Sequence, residues 1–285
     1  MILIAGATGN IGRALVRELR ARGAGPVRAL SRAPAPGAFP DGVEAWAGDL
    51  GDAGSLRPAL EGVRALFLPA GLGADAEVIG AARRARVEHL VLVSSLTVQS
   101  HPHLGPARAN AETERLVRDS GMSWTVLRPT QFASNALWWA DSVRTHGTVR
   151  VPYADIGLPT IHPADVAAVA RVALTEPGHH GRTYALTGPE RITPRRQVAA
   201  LAAALGREVR CAETTRAEAH RTMAALLGAE VADAVLDVTG GDVNDELLAV
   251  RDTVPALTGS PARTFHQWAA ENTAAFRPDV TPVSR

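Results

Sequence analysis

The chain contains no lysine and a single cysteine, and both shortages exclude kinds of chemistry. All 30 basic side chains are arginine, so a mechanism that needs a lysine amine is not available. Cys211 stands alone, which excludes an internal disulfide and a zinc site built from several cysteines. No HExxH motif or other metal-ligand spacing is present, and the sequence therefore predicts no metal site.

The chain also lacks a charge excess and long apolar runs. Its 30 basic residues face 29 acidic ones, and this net charge of +1 gives no electrostatic basis for binding nucleic acid or an anionic membrane. No run of about 18 apolar residues predicts a transmembrane helix. The opening residues MILIAGATGNIG lack the basic segment of a signal peptide and are typical of a strand. We therefore expect a cytoplasmic protein, monomeric or homodimeric, whose partner is a small molecule.

Short apolar runs alternate with helical patterns through the first half of the 285 residues. Such alternation predicts an α/β fold, a doubly wound parallel sheet with helices on both faces, in the strand order 3-2-1-4-5-6. The predicted strands span residues 2–5, 27–31, 43–48, 64–71, 89–95 and 123–129, and a further strand spans 182–188. The predicted helices span residues 11–23, 76–86, 110–120, 132–144 and 161–174.

This alternation stops in the second half, which predicts a division into two parts. Residues 1–130 are expected to form the nucleotide-binding domain, to which residues 161–188 return. Residues 131–160 and 189–285 are expected to form a small, mainly helical lobe on the substrate side, interrupted by TGGD at 239–242. The last residues, 278–285, are expected to be frayed.

The glycine-rich segment GATGNIG follows the first predicted strand and opens the first predicted helix. In that context Gly6 permits a tight turn, Gly9 admits a pyrophosphate close to the backbone, and Gly12 lets the helix pack on the strand. The alternative is a tight strand-to-helix turn without a ligand. The predicted cofactor contacts of this segment are Gly6, Ala7, Thr8, Gly9, Asn10, Ile11 and Gly12.

The end of the second predicted strand indicates which dinucleotide binds. An acidic residue usually holds the ribose of NAD there, but this chain has Ser31 and Arg32, whose hydroxyl and guanidinium suit the 2′-phosphate of NADP(H). Arg32 as a solvated surface residue is the alternative. Further predicted cofactor contacts follow the later strands: Asp49 and Leu50 at the adenine, Leu68 and Pro69 along the adenosine ribose, and Ser94 near the nicotinamide. Asp49 is equally suited to cap a turn.

A set of motifs runs over about residues 1–210: GATGNIG (6–12), Arg32, GDL (48–50), VLVSS (91–95), SGMSWTVLRPTQFASN (120–135), HPADVAAVA (162–170) and YALTGPERIT (184–193). As a set they resemble the NmrA-like atypical short-chain dehydrogenase/reductases, in particular the group that includes NADPH-dependent quinone oxidoreductases. The resemblance implies a Rossmann domain that binds NADP(H) and a C-terminal lobe that bounds the substrate cleft. It also implies that Pro129, Thr130, Gln131 and Phe132 line the nicotinamide side.

The chain departs from this family at the proton relay. Classical members carry Tyr-x-x-x-Lys, in which the lysine cation lowers the pKa of the proton-donating tyrosine. The matching positions here hold Pro106 and Asn110, and the only tyrosines, Tyr153 and Tyr184, lie elsewhere.

Ser95, Asn110 and His103 are therefore the candidate catalytic residues, and His101 is the neighbouring alternative to His103. Ser95 could equally be a strand-end serine bonded to backbone, and the two histidines could equally be exposed loop residues.

These observations favour an NADPH-dependent oxidoreductase that reduces a quinone or another conjugated carbonyl compound. Hydride transfer belongs to the cofactor, and a hydroquinone anion can collect its proton from water. Phe132, Asn135, Trp138 and Trp139 are the candidate substrate-binding residues, and at most one of the two tryptophans is expected to face the cleft. A redox-inert NADP(H)-sensing regulator and a non-redox tailoring enzyme, such as a cyclase or isomerase, remain the alternatives.

Overall fold

The chain divides into two compact units in the computed structural model, which describes residues 1–72 and 74–277. The first unit consists of Met1–Thr130, Pro163–Thr187 and Arg251–Ala262, and the second consists of Gln131–His162, Gly188–Val250 and the described residues from Arg263 onward. The sequence placed 251–262 in the helical lobe, whereas this segment packs in the first unit. The tail expected to be frayed, 278–285, lies outside the described residues.

The strands in chain order are β1 (Ile2–Ala5), β2 (Val27–Ser31), β3 (Val43–Ala47), β4 (Ala65–Pro69), β5 (His89–Val93), β6 (Ser123–Pro129), β7 (Thr148–Val151), β8 (Arg182–Leu186) and β9 (Arg210–Glu213). Seven of them form one sheet in the first unit, in the order β3-β2-β1-β4-β5-β6-β8, and all neighbours are parallel. The predicted order 3-2-1-4-5-6 is therefore confirmed, with β8 added beside β6. This is the doubly wound Rossmann arrangement.

The helices in chain order are α1 (Asn10–Ala21), α2 (Arg57–Leu60), α3 (Asp75–Arg84), α4 (Thr97–Ser100), α5 (Gly105–Arg118), α6 (Ala140–His146), α7 (Pro163–Thr175), α8 (Pro194–Leu205), α9 (Arg216–Leu227), α10 (Ala229–Leu236), α11 (Asp245–Leu248), α12 (Thr253–Thr258) and α13 (Phe265–Glu271). Short 3₁₀ segments span Ala53–Leu56, Ala133–Trp139 and Thr273–Phe276, and a π-type turn spans Asp237–Gly241. No helix among residues 1–72 and 74–277 has the length and apolar character needed to cross a membrane.

The helices of the first unit cover both faces of its sheet. Side chains alternate along each strand, so Leu3, Leu66 and Leu90 point to one face, where they pack with buried residues of α3 and α5. On the other face α1 packs against α7, and α7 contacts β4, β5 and β6. The segment 251–262 joins this layer because α12 packs against α7 and β8. Each strand of the sheet centre is thereby buried on both faces, which explains its continuous apolar sequence.

The second unit has its own apolar core beneath a small parallel pair of strands. β7 and β9 pair in register from Thr148 opposite Arg210 to Val151 opposite Glu213. The buried rings of Phe265, Trp268 and Phe276 pack together, and α13 lies against α8. The sequence did not predict this strand pair, because each strand has four residues and its partner lies about sixty positions away.

One predicted helix of this unit has a different form. The pattern at 132–144 predicted a single helix, but the structure has the 3₁₀ segment Ala133–Trp139 followed by α6. The α-helical geometry begins at Ala140. The helix α6 ends at His146 and is capped by Gly147, whose φ of 60° is the left-handed conformation that glycine adopts without a steric cost.

Candidate functional site

The GATGNIG turn of the first unit is shaped by contacts that exclude larger side chains. Gly6 has a φ of +65°, and its carbonyl oxygen accepts a 2.9 Å hydrogen bond from the Gly9 amide. A Cβ atom at Gly12 would stand 2.8 Å from the Cα of Ala7 and would also collide with the Gly6 carbonyl. Gly9 caps α1 without a side chain, and the first turn of α1 carries no acidic residue. The turn therefore leaves the positive end of a twelve-residue helix open to an anionic group.

Two buried hydroxyls lie at the carboxyl ends of strands of the same unit. Ser31 ends β2 and is 7% exposed, and Thr130 directly follows β6 and is 5% exposed. Neither hydroxyl has a hydrogen-bond partner within residues 1–72 and 74–277. Because an unsatisfied buried hydroxyl is costly, both positions fit a ligand that supplies the missing bond. Arg32, next to Ser31, is exposed and forms no ion pair with the described residues.

The open helix end, the two unsatisfied hydroxyls and Arg32 are groups that fit a phosphorylated dinucleotide such as NADP(H).

The remaining predicted cofactor residues differ in whether they offer polar atoms or only a surface. Pro69 lies beside the turn, with its Cγ 3.5 Å from where a Cβ of Gly6 would stand. Leu68 and Pro129 are buried and Leu50 packs against the core, so these residues act by shape. Asp49 accepts a 2.9 Å hydrogen bond from the Gly51 amide, so this carboxylate also shapes the loop after β3.

Ser94, at the end of β5, is committed to a buried ionic cluster. Its hydroxyl donates to Glu114 at 2.7 Å, and Glu114 is fully buried. Two nitrogens of Arg128 bond the same carboxylate at 2.8 and 2.7 Å, and Arg118 adds a 2.7 Å bond. Burial by itself raises the pKa of the Glu114 carboxyl, but these hydrogen bonds outweigh it and hold that pKa below its usual range. The cluster is therefore ionised and fixes the end of β5 to α5 and β6.

The predicted catalytic side chains also have local partners. Ser95 Oγ lies 2.8 Å from Thr97 Oγ1 and accepts a 3.2 Å bond from the Thr97 amide at the start of α4. Asn110 donates to the Pro106 carbonyl at 3.1 Å, because α5 begins at Gly105 and so places Asn110 in its second turn. His103 is exposed, whereas His101 is 1% exposed and lies 2.8 Å from Ser100 through Nδ1. The structure thus shows local structural partners for Ser95 and Asn110.

The second unit contains an apolar cavity of about 200 Å³. Its wall includes all four predicted substrate-binding residues: Phe132, Asn135, Trp138 and Trp139. Gln131 also lines the cavity. It is the next residue in the chain after Thr130, which directly follows β6. Side-chain amides of Gln131 and Asn135 have no hydrogen-bond partner within the described part of the chain. The cavity therefore offers two amide groups without a partner among the described residues in a wall that is mainly apolar, with Thr160, Gln197 and Thr239 as its other polar residues.

Both tryptophans line this cavity, whereas the sequence predicted that at most one of them would face the substrate cleft. Trp138 is 62% exposed, and the two indoles also line a second, adjoining groove. Adjacent side chains point in different directions, but both indoles can line the cavity because they stand in the wall that separates it from this groove. The exposed indole of Trp138 and the partly buried indole of Trp139, beside a mainly apolar cavity, suit the binding of a planar molecule.

Other wall residues were not predicted. Gln197 of α8 bonds Thr160 Oγ1 at 3.3 Å, and Met223, Val238 and Thr239 close the cavity from α9 and the π-type turn. The interruption TGGD at 239–242 was the available signal, since a π-type turn within a helical region often borders a functional site. Within the described residues no cluster of three or more His, Cys, Asp or Glu side chains has the arrangement of a metal site.

Comparisons with known proteins give consistent results. A family model described as NAD(P)H-binding matches residues 6–177. The chain is 42% identical over 285 residues to the (4-alkanoyl-5-oxo-2,5-dihydrofuran-3-yl)methyl phosphate reductase of Streptomyces griseus, covering 98% of this chain and 100% of that protein. It is 37% identical over 284 residues to the NAD(P)H azoreductase of Xenophilus azovorans, covering 97% and 99%. The solved structure of an NADPH-dependent quinone oxidoreductase from Escherichia coli, in complex with NADPH, has a TM-score of 0.79 at 29% identity and covers 95% and 99%.

Proposed function

The chain belongs to the NAD(P)H-binding family, and we propose that it reduces a planar, conjugated carbonyl acceptor, a quinone or an unsaturated lactone, with NADPH. The resemblance inferred from the sequence motifs is confirmed. The chain is an oxidoreductase, since full-length relatives at 37% and 42% identity are reductases. The single observation that carries the proposal is the apolar cavity walled by two tryptophans and two unsatisfied amides.

The first unit supports NADPH as the reductant. Ser31 and Arg32 follow β2, where an NAD-specific site usually has an acidic residue, and they offer a hydroxyl and a guanidinium to a 2′-phosphate. The open end of α1 would hold the pyrophosphate, and the Thr130 hydroxyl lies after β6, at the strand end that the family pattern assigns to the nicotinamide. When bound, NADPH supplies the hydride ion.

The names of the relatives support the class of acceptor. The lactone named for the Streptomyces griseus enzyme has a ring C=C bond conjugated with carbonyl groups, and the Escherichia coli relative is named for quinones. In both kinds of acceptor a hydride adds its electron pair to the conjugated system, and the negative charge spreads onto a carbonyl oxygen. An anion delocalised in this way is less basic than the alkoxide of a simple ketone, so hydride transfer can precede protonation and depends less on a positioned acid. The absence of tyrosine and lysine at positions 106 and 110 is compatible with this chemistry.

The cavity residues bind and orient the acceptor. Trp138 and Trp139 supply flat apolar surface for a planar ring. The Gln131 and Asn135 amides donate N–H groups to a carbonyl oxygen, where a donor in an apolar wall strongly stabilises developing negative charge. Water or a loop histidine then delivers the proton to the product.

The test is oxidation of NADPH by a panel of acceptors. We expect turnover of a naphthoquinone and of an acyl-substituted unsaturated lactone, slower turnover with NADH, and none with a saturated ketone of similar size. Tight binding of NADPH without turnover of any conjugated acceptor would overturn the proposal and favour a redox-inert regulator.

The two amides provide a sharper test within the cavity. Gln131→Glu and Asn135→Asp keep the side-chain shape but replace the N–H donors by oxygen acceptors. Each change is expected to lower kcat about a hundredfold, since the lost donor acts on charge that develops during the reaction. NADPH affinity, measured by fluorescence titration, should stay unchanged. An equal loss in kcat and in NADPH affinity would contradict the assigned role.

A further inference from the structure

A second groove of about 680 Å³ adjoins the cavity within the second unit. The two hollows share a wall made of Trp138, Trp139, Val151, Pro152 and Met223. Beyond this wall lies the outer groove, which we define by Arg150 of β7, Thr214, and Glu218, Arg221, Leu226 and Leu227 of α9. A molecule that fills the cavity can thus extend along the tryptophans into the outer groove.

The outer groove carries an uncompensated positive charge. Arg150 and Arg221 are both exposed, and neither forms an ion pair with a residue in the described ranges. The one carboxylate in its wall belongs to Glu218, and that carboxylate caps α9 by accepting 3.0 Å bonds from the Thr215 amide and hydroxyl. Two cations and one anion leave a formal charge of +1 on the groove.

Away from the two arginines, the wall of the outer groove is apolar. Leu226 is 82% exposed, and Trp138 is 62% exposed. Solvated surface arginines need no such neighbours, and large exposed apolar side chains generally mark a binding site. Guanidinium groups beside apolar surface fit a ligand with a planar or aliphatic body and an oxyanion at one end, because the fork of N–H donors matches carboxylate and phosphate oxygens.

We propose that the outer groove binds an oxyanion carried by the acceptor, a phosphate monoester or a carboxylate, through Arg150 and Arg221. The conjugated ring of the same acceptor occupies the cavity beside Gln131 and Asn135. The identity of the ring rests on the proposed function, whereas the anion site rests on the charge and shape of the outer groove. The arrangement makes the protein selective for acidic acceptors over neutral ones.

The test compares three ligands that differ only in one substituent: a naphthoquinone with a hydroxymethyl group, its phosphate ester, and the corresponding carboxylate. Binding is measured by quenching of tryptophan fluorescence, with and without NADP⁺, which has no hydride to donate, so that no turnover takes place during the titration. Arg150→Gln and Arg221→Gln are each expected to weaken binding of the charged ligands about tenfold, as expected for loss of one charge-assisted hydrogen bond. The neutral ligand should bind both variants as it binds the wild type.

Two further variants serve as controls. Arg83→Gln removes an exposed arginine from α3 of the first unit and should leave all three affinities unchanged. Glu218→Gln keeps a residue type that can complete the capping box while removing the negative charge, and should tighten binding of both charged ligands. Comparison of the affinities for the phosphate ester and for the carboxylate shows which oxyanion the groove binds more tightly.

The outcomes separate this inference from the proposed function. Equal weakening for neutral and charged ligands, or no weakening in either arginine variant, overturns the anion site. A concentration-dependent dimer that Arg150→Glu dissociates also overturns it, because the groove would then be a contact between copies. Selective weakening without turnover of any acceptor supports the anion site and overturns the reductase proposal.

Discussion

The turn at residues 6–12 and the cavity of the second unit are built from different parts of the chain. The turn uses the backbone of seven consecutive residues, and its shape depends on the absence of side chains at Gly6 and Gly12. The cavity uses side chains that are drawn from positions between Gln131 and Thr239. A phosphate can be held by backbone groups of one short segment, whereas a particular acceptor has to be recognised by side chains that the fold brings together.

Polar side chains at the sheet end of the first unit show a second contrast. Ser31 and Thr130 are buried without a partner in the described residues, whereas Ser94 and Ser95 have partners within 3 Å. Hydroxyls that remain unsatisfied indicate where a ligand belongs, and satisfied ones indicate a structural role. We propose that this difference separates binding positions from structural ones at the same edge of one sheet.

The strongest test of that separation is Glu114→Gln. The change removes the negative charge on which Arg128 and Arg118 converge, and it is expected to lower the free energy of unfolding by about 3–5 kcal/mol, as for other broken buried ion pairs. Chemical denaturation measures the loss, and NADPH affinity of the folded variant should be retained. The exposed Glu112→Gln is the matched control on the same helix and should change stability little. Loss of NADPH binding without loss of stability would mean that the cluster belongs to the binding site.

Lowering the pH provides a second test, which concerns the stability of the first unit. His89 is 6% exposed, lies 3.0 Å from Thr125 Oγ1, and its ring centroid is 4.4 Å from that of His180. Burial, together with the charges of His180 and His179, lowers the pKa of His89 from 6.5 to about 4. The folded state therefore holds His89 neutral while the unfolded chain takes up a proton as the pH falls below 6.5.

Stability is expected to decrease by up to about 3 kcal/mol as the pH falls from 6.5 to 4. Hydrogen exchange at β5 and β6 should detect this loss, and His89→Gln should reduce the dependence on pH in that window. His103→Gln replaces an exposed imidazole and should leave the pH dependence of stability unchanged. An identical pH profile for His89→Gln and the wild type would be evidence against the buried neutral histidine.

Gly12→Ala tests the steric basis of the turn. The added Cβ would collide with the Gly6 carbonyl, so we expect a loss of about 2 kcal/mol in the free energy of unfolding and loss of NADPH binding. Gly80→Ala is the control, because its Cβ would meet only the far end of the Arg84 side chain at 3.3 Å in the middle of α3. Unimpaired NADPH binding by Gly12→Ala would show that the turn has another role.

The smallest expected effect concerns the choice of cofactor. Arg32→Ala should weaken NADPH binding about tenfold, or about 1.4 kcal/mol, through loss of one charge-assisted contact, while NADH affinity stays the same. Arg83→Ala on α3 controls for the change in net charge. A parallel loss of NADPH and NADH affinity would indicate that Arg32 does not discriminate between them.

Much of the first unit could be predicted because its signals are local. Each central strand of the sheet is a short apolar run of its own, and the order 3-2-1-4-5-6 is the standard one for such an alternation of strands and helices. The pairing of β7 with β9 and the return of residues 251–262 to the first unit depend on partners far away in the chain. Asn110 was assigned from its match to a family position, and its bond to the Pro106 carbonyl was visible only once α5 was seen to begin at Gly105.

By itself, the sequence determined the glycine turn, the parallel sheet, and the absence of a tyrosine–lysine relay, since each depends on residue type and spacing along the chain. Only the tertiary structure decided which hydroxyls remain unsatisfied, that both tryptophans line the cavity, and that Arg150 and Arg221 share one groove with Glu218. The physical reason is that hydrogen-bond satisfaction and the sum of charges in a groove depend on all neighbours in space. Those neighbours come from strands and helices that are distant in the sequence.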